Sequence, residues 1–522
     1  MRKFNVTGLC VPDLHYMADT SEKIAQIKQF VDQGEYFGIN RGRQYGKTTT
    51  LFLLEEQLAE KYTVISISFE GVDDEVFETP ESFCQGFLGL CANYFTQRKL
   101  PGSEVWVDKT VDTFAALDAF LDKACDKTKY VLMIDEVDKT SNNTIFLKFL
   151  GVLRDKYLKR PRKVGATFQS VILAGVYDIK NLKVKMVQAG THQLQDGEKR
   201  INSPWNIAIN FNVDMSLSVK EIASMLTEYE KDHNSGMDIQ AVAQEIRDYT
   251  SGYPYLVSRI CECIEKELGR NWTKDGVLEA VKLILQEQST LIDDLGKNIL
   301  ADKELSDLLY DITINGAAYK FSATDYAMGL GFTFGYLRNK NGKVVIDNTI
   351  FELIIYEHFI TEKQRKGIRI DRVVSSDVVK GGKFDMKLCI ERFARHYYEL
   401  YRESSKKFLE EECRMLFLTY IRPVINGAGF YHIESETRNA ERTDVIVDYG
   451  AEQFIVELKR WYGEAAHEEA YDQLCGYLES KNKDLGFLLT FDFRSEKNIG
   501  KPQSKWVEHK GKKIFDCMVG FG

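Results

Sequence analysis

The chain has 522 residues, of which 44% are hydrophobic and 28% charged, and its formal net charge is −9. That balance belongs to a soluble protein of several globular domains. It excludes long disorder and a chain-wide cationic surface, so any nucleic-acid contact must come from local patches. The ten cysteines form no C-x-x-C pair and the eight histidines no H-x-x-x-H, so no zinc site is expected. Free thiols fit a reducing cytoplasm. Met1–Thr20 lacks the apolar core of a secretory signal, and no stretch nears the ~20 apolar residues of a membrane span. The expected setting is cytoplasmic, with no membrane.

Read in chain order, the first part alternates short apolar runs with helical periodicity. Glu35–Asn40 is a strand before a glycine-bearing turn, and Thr49–Lys61 puts Leu51, Leu54 and Leu58 on one helical side. Tyr62–Phe69 is short and β-branched. Tyr130–Ile134 is apolar throughout, as a strand buried on both faces must be, and Val171–Gly175 is a fourth strand. Strands separated by helices predict a parallel sheet. Beyond Ser216, the segments Val219–Lys231, Ile239–Thr250 and Leu256–Leu268 read as helices, with Ser251-Gly252-Tyr253-Pro254 breaking the last two apart. Asp275–Phe359 adds helices and a hairpin-like piece at Gly342–Asp347. Thr361–Gly382 is polar and is the expected linker, and from Lys383 onward helix and strand patterns mix.

Two stretches in the first part carry chemistry. Arg41-Gly42-Arg43-Gln44-Tyr45-Gly46-Lys47-Thr48 lies between the first strand and its helix. The common phosphate loop is G-x-x-x-x-G-K-[ST], and here Arg41 stands at the first glycine position. The parts nearest a phosphate are all present. Inward-facing backbone N–H groups and the helix N-terminus hold the anion, the lysine reaches the β- and γ-phosphates, and the hydroxyl holds Mg2+. Gly46, Lys47 and Thr48 supply these, flanked by Arg43, Gln44, Tyr45 and Thr49. Val131-Leu132-Met133-Ile134-Asp135-Glu136 is an apolar strand ending in two acids. Asp135 is expected to orient the water shell of Mg2+, and Glu136 to polarise the attacking water. Together they predict an ATP site.

The loop resembles the R-P-R-R-F-G-K-[ST] loop of the bacterial AAA-ATPase-like family. Arg200-Ile201-Asn202-Ser203-Pro204-Trp205-Asn206-Ile207-Ala208 is similar to that family's S-P-[FW]-N-I-A segment. Ser251–Leu256 resembles the G-Y-P-x-L turn of signal-transduction-type ATPases, and Asn348–Glu352 resembles the N-x-I-[FY]-E start of a helix closing a winged-helix-like domain. The resemblance spans Met1–Glu362. Gly42 stands where the family usually has proline, which implies a less rigid loop. Related ATPases sense the γ-phosphate with a polar residue after the fourth strand. Here Ala174-Gly175-Val176-Tyr177-Asp178 offers only Asp178 or backbone, and Arg200 is a candidate charge-stabilising arginine or simply a surface one.

A second constellation lies near the C-terminus. Arg442–Val447 and Phe454–Lys459 read as adjacent strands carrying Asp444 and an E-x-K, with Glu457 and Lys459 on one face by period-two alternation. Two carboxylates bind Mg2+, and the lysine holds water or steadies charge on phosphorus. Glu434 and Glu436, or Glu410, Glu411 or Glu412 on a preceding helix, would complete such a site. Gln473-Leu474-Cys475-Gly476-Tyr477 falls in a helix followed by the apolar strand Leu485–Thr490. Strand, strand, helix and strand bearing acid, E-x-K and Q-x-x-x-Y are similar to the PD-(D/E)xK restriction-endonuclease-like core over Leu409–Phe493. Gln473 takes a catalytic part by that resemblance. The densest cationic run, Arg154–Lys163, is either a nucleic-acid contact or a solvated helix end.

The expectation is an α/β protein: a P-loop NTPase parallel sheet, a helical and winged-helix-like region, and a small α/β restriction-endonuclease-like domain. Expected boundaries are 1–215 for the ATPase core, 216–274 for a helical lid, 275–362 for the winged-helix-like domain, 363–405 for linker and helix, and 406–522 for the nuclease-like domain. The expected function is an ATP- and Mg2+-dependent switch coupled to a phosphodiesterase acting on DNA, with RNA as the other candidate substrate, in defence or DNA processing. The alternative is a non-catalytic nucleotide switch whose C-terminal domain only binds nucleic acid or a protein partner. A homo-oligomer stays open.

Overall fold

In the computed structural model the early apolar runs become β1 (Tyr36–Asn40), β2 (Thr63–Ser68), β3 (Tyr130–Asp135) and β4 (Ser170–Gly175), all parallel, in the order β1-β4-β3-β2. The structure describes residues 2–108, 110–137, 144–176, 205, 207–209, 211–314, 317–365, 378–401, 410–425, 429–433, 444–450, 452–493 and 502–520. Its two compact units are Met1–Thr273 with Phe332–Gly335, and Lys274–Gly331 with Tyr336–Gly522.

In the first unit, helices α1 (Ser21–Gln33), α2 (Lys47–Leu58), α3 (Pro80–Gln97), α4 (Phe114–Ala124) and α5 (Thr144–Lys159) accompany the sheet. β3 and β4 are buried at every position, which is why their sequences are apolar throughout rather than alternating. An aromatic core including Phe83, Phe87, Trp106, Phe149 and Trp205 fills the space under the sheet. Trp205, from the S-P-W-N-I-A stretch, stacks near Tyr36 at 6.0 Å, and Ile209 bridges Phe37 in parallel, so this segment flanks β1. Helices α6 (Val219–His233), α7 (Ile239–Thr250) and α8 (Pro254–Lys266) follow. Ser218 starts α6 with a reciprocal cap: its hydroxyl accepts from the Glu221 N–H, and the Glu221 carboxylate accepts from the Ser218 N–H.

Three cations of the Arg154–Lys163 run are engaged inside this unit, while Arg162 and Lys163 are exposed. Lys156 is 4% exposed and pairs with Asp118 at 3.3 Å and Asp122 at 2.8 Å, tying α5 to α4. Lys159 pairs with Asp155, and Arg160 donates to the carbonyls of Gln169 and Gly34. Intramolecular pairing therefore interrupts this cationic run.

The second unit begins with α9 (Lys274–Gln286), α10 (Thr290–Ala301), α11 (Lys303–Thr313), β5 (Tyr319–Lys320), α12 (Tyr326–Phe334, whose last three residues belong to the first unit), β6 (Leu337–Lys340), β7 (Lys343–Ile346) and α13 (Thr349–Arg365). Its small antiparallel sheet has the order β5-β7-β6. The expected linker Thr361–Gly382 is corrected at both ends. Buried Ile350, Phe351, Ile354, Ile355 and Phe359 anchor α13, which runs on through Glu362 to Arg365. At the other end, Gly381 (φ +59°) and Gly382 (φ +79°) make a two-residue turn between β8 (Val379–Lys380) and β9 (Lys383–Phe384).

After α14 (Met386–Tyr401) and α15 (Glu410–Ile425) comes a six-stranded sheet of β10 (Gly429–Ile433), β11 (Asp444–Tyr449), β12 (Glu452–Arg460), β13 (Leu485–Asp492), β14 (Gln503–His509) and β15 (Lys512–Gly520). Its order is β10-β11-β12-β13-β15-β14, with β12, β13 and β15 parallel and the remaining pairings antiparallel. Helix α16 (Glu464–Ser480) is the crossover between β12 and β13. It buries Tyr471, Leu474, Tyr477 and Leu478 against Ile446, Ile455, Leu488 and Ile514 of the sheet. No described helix is long and apolar enough to cross a membrane.

Candidate functional site

The phosphate loop leaves β1 at Asn40 and enters α2 at Lys47, two residues earlier than the helical periodicity alone suggests. Polar Lys47 and Thr48 hide the start of the helix from a pattern that counts apolar residues. Gln44 has φ +57° and Gly46 φ +78°, two left-handed residues that turn the chain sharply around Tyr45. Lys47 is 6% exposed, and its Nζ donates to the carbonyls of Arg41 at 3.1 Å and Gly42 at 3.0 Å, so the loop wraps its own lysine. Thr50 Oγ1 donates to the Gly46 carbonyl at 2.9 Å, bracing the first turn.

Gly42 does not have a positive φ among the described backbone. A Cβ there would sit 2.4 Å from the Phe334 carbonyl oxygen, in the same unit. Close approach accounts for glycine at this position: Gly42 is buried against backbone.

Across the sheet, β3 delivers Asp135 to the start of α2. Thr48 Oγ1 donates to Asp135 Oδ2 at 2.7 Å, and the Glu136 N–H donates to Asp135 Oδ1 at 2.9 Å, so both carboxylate oxygens are engaged. Glu136 itself has φ +54° and is half-buried just past the strand end. A left-handed non-glycine residue there costs about 1 kcal/mol and marks a turn that re-aims a side chain.

The other expected loop residues divide. Arg43 and Gln44 have exposed side chains, while Tyr45 is buried and meets Tyr253 edge-on at 4.7 Å. Thr49 Oγ1 accepts from the Cys10 N–H at 3.2 Å, which ties the N-terminal segment to α2. Arg41 turns away from the loop, donating to the Asn40 carbonyl at 2.9 Å and the Val213 carbonyl at 3.2 Å beside the Phe211 ring. Asp178 and Arg200 lie outside the described residues.

In the second unit the register sets Asp444 of β11 directly opposite Glu457 of β12. The Asp444 side chain, Glu434 and Glu436, and the side chains of Glu410, Glu411 and Glu412 lie outside what is described. Glu457 is 3% exposed, and Lys459 Nζ sits 2.9 Å from its Oε1. Gln473 is half-buried on α16, and the buried Tyr477 hydroxyl has no hydrogen-bond partner among the described residues.

A third group on this sheet carries no sequence signature. The parallel register aligns Glu457 with Leu488 and Asp516, and Lys459 with Thr490, so these side chains share a face. Asp516 is 3% exposed; its Oδ2 accepts from the Tyr471 hydroxyl at 2.6 Å and lies 3.0 Å from His467 Nε2. Its Oδ1 is buried with no partner among the described residues. Burial, then the hydrogen bond to Asp516 and its charge, push the Tyr471 phenol well above the usual range. Only the one-residue phase of each strand could have hinted at this cluster; its pairing spans 49 residues from His467 to Asp516.

A parallel sheet with a phosphate loop after its first strand, and an acidic strand end against the loop's threonine, defines a P-loop ATPase-like protein. The chain belongs to the AAA-like domain family, which matches residues 13–282. A Walker-type ATPase of Pyrococcus abyssi is similar over 67% of this chain and 99% of that one, at 12% identity and a TM-score of 0.46. The ORC2 protein of Aeropyrum pernix, solved with ADPNP and ADP, is similar over 66% and 94%, at 13% identity and a TM-score of 0.34. A RuvB mutant of Thermotoga maritima is similar over 63% and 92%, at 12% identity and a TM-score of 0.33. No curated protein matches the chain.

Proposed function

We propose that the first unit binds and hydrolyses ATP as a switch, and that the C-terminal sheet is a metal-dependent nuclease-like module acting on DNA. The observation that carries the first part is the 2.7 Å contact between Thr48 and Asp135, which joins the end of the loop to the acidic strand. A hydroxyl and a carboxylate this close are the hard oxygen donors Mg2+ takes. Among the described residues no three or more His, Cys, Asp or Glu side chains form a metal cage, so the remaining shell would be phosphate oxygens and water. Thr48 and Asp135 would hold that ion, which neutralises phosphate charge when bound. Lys47 contacts the phosphates, the loop amides from Arg43 to Thr48 cradle them, and Glu136 takes the proton of the attacking water.

For the C-terminal module the support is the register that sets Asp444 opposite Glu457, with Lys459 beside Glu457. Asp444 and Glu457 would hold Mg2+, which acidifies a bound water. Lys459 steadies charge on phosphorus and Gln473 orients the scissile group. One observation favours the second reading, a binding-only module: the buried Glu457 already has Lys459 as a partner and needs no metal to be compensated.

The test is cleavage of labelled single- and double-stranded DNA and RNA with Mg2+ or Mn2+, with and without ATP, in wild type, Glu457→Ala and Lys47→Ala. Cutting lost in Glu457→Ala and dependent on Lys47 supports the ATP-gated nuclease. ATP turnover that Lys47→Ala abolishes, with no cutting by wild type, leaves the nucleotide switch with a binding-only module.

A further inference from the structure

The Ser251-Gly252-Tyr253-Pro254 turn reaches the phosphate loop itself. Tyr253 is fully buried, its ring edge packs on Tyr45, and its hydroxyl donates to the backbone carbonyl of Arg43, in the middle of the loop. The next residue, Pro254, opens α8, and its ring lies 3.9 Å from where a Cβ on Gly46 would be. One turn thus touches the loop at Arg43 and Tyr45 and lies beside Gly46.

Peptide planarity gives the hydroxyl contact its meaning. In a trans peptide the C=O of one residue and the N–H of the next point in opposite directions. Holding the Arg43 carbonyl toward Tyr253 therefore aims the Gln44 N–H the other way. The carbonyls of Arg41 and Gly42 are meanwhile turned toward Lys47. With Gln44 and Gly46 both left-handed, the peptides between them belong to the concave backbone that receives an anion.

The turn cannot yield on its own. Gly252 has φ +74°, and a Cβ there would lie 2.0 Å from the Leu217 carbonyl oxygen. Its N–H donates to Thr250 Oγ1 at 3.0 Å, and its carbonyl accepts from the Leu217 N–H at 2.7 Å. These bonds tie the turn to the end of α7 and to Leu217, and Pro254 continues it directly into α8.

We propose that Tyr253 is a positioning residue for nucleotide phosphate. Its hydroxyl sets the Arg43–Gln44 peptide so that the Gln44 N–H meets the phosphate, and the same bond couples phosphate binding to α7 and α8. The proposal rests on nucleotide binding at this loop and not on the C-terminal module. Coupling of this kind is reciprocal: what steadies the turn tightens the nucleotide, and the nucleotide steadies the turn.

The experiment compares full-length wild type with Tyr253→Phe, which keeps the ring against Tyr45 and removes only the donor. Equilibrium binding of a fluorescent ADP, ATPase kinetics and melting without nucleotide are measured. Loss of one oriented donor to charged phosphate weakens ADP about tenfold. KM for ATP should rise with kcat little changed, because the contact holds substrate and transition state alike. ADP affinity within twofold of wild type overturns the proposal, as does weakened binding seen only together with collapse of the melting transition. A wild type that binds no ADP overturns the nucleotide reading as well, so the two failures are distinct. Should Tyr253→Phe fail to fold, hydrogen exchange of the wild type decides. ADP should protect the amides of Tyr255–Arg259 along with those of Gln44–Thr48, and protection confined to the loop overturns the coupling.

Discussion

Gly252 and Gly236 share a left-handed φ of +74° and have opposite surroundings. At Gly236 an added Cβ meets nothing within 4 Å, whereas at Gly252 it lies 2.0 Å from the Leu217 oxygen and 2.8 Å from Leu217 carbon and nitrogen. Gly236→Ala therefore costs only the left-handed strain, about 1 kcal/mol, partly offset by the stiffer unfolded chain. Gly252→Ala adds a clash with backbone, which no side-chain rotation relieves, worth roughly 1–3 kcal/mol. It also strains the Leu217–Gly252 hydrogen bond, worth about 1 kcal/mol. The expected difference between the variants is about 3 kcal/mol, or roughly 6–12 °C in melting temperature for a unit of this size. Differential scanning calorimetry of both variants checks it. Equal shifts would refute the claim that a packed turn, rather than backbone conformation alone, requires glycine at 252.

Two further outcomes follow from the first unit. Thr48→Val keeps the volume and removes the hydroxyl that donates to Asp135, so ATP turnover should fall by about 100-fold or more while stability changes by about 1 kcal/mol; a malachite-green assay beside a melt measures both. Lys61 at 2.8 Å and Tyr62 at 2.7 Å hold the Asp32 carboxylate at a pKa of about 2 against an ordinary 3.8. A depressed carboxylate pKa stabilises the fold above its unfolded value, and that contribution is lost as pH falls through the folded value. Asp32→Asn should therefore flatten the loss of stability between pH 4 and pH 2, with an effect under about 1 kcal/mol because the pair is partly solvated. Urea titrations across that range read it directly.

What the sequence revealed and what it hid follow from the range of the interactions. Tyr130–Ile134 announced a strand because both of its faces are buried, and Gly46-Lys47-Thr48 announced a loop because the chemistry is carried by adjacent residues. The approach of Thr48 to Asp135 could be anticipated because each lies at the end of a recognisable element. Tyr253 could not be placed the same way: its partner is a backbone carbonyl 210 residues away, and no side-chain pattern marks a carbonyl. Lys156 misled for the opposite reason, since a cation in a basic run looks solvent-facing until the acids of another helix are brought to it. The polar stretch at Thr361 read as linker because its composition is that of a loop, yet the apolar residues upstream hold it in α13.

Strand direction explains where the polar groups of the second sheet collect. β12 pairs antiparallel with β11 and parallel with β13, and α16 makes the crossover. Such a unit brings the C-terminal ends of its strands and the first turn of its helix to one edge, where α/β sheets place their ligands. Lys459, Thr490 and His467 come to that edge from three elements, with His467 Nδ1 at 3.5 Å from Thr490 Oγ1. The Glu457–Lys459 pair is the decisive member, because a buried pair kept only for stability can be replaced by apolar residues at little cost, whereas breaking it from one side leaves a buried charge. Glu457→Leu with Lys459→Met should then fold with a stability close to wild type, and Lys459→Met alone, which takes the lysine from the buried Glu457, should lose about 3 kcal/mol or more. If the pair serves phosphodiester chemistry, the folded double variant cuts no DNA although wild type does. A double variant that cuts like wild type would show that these two residues are structural, and the catalytic reading of this face would fall.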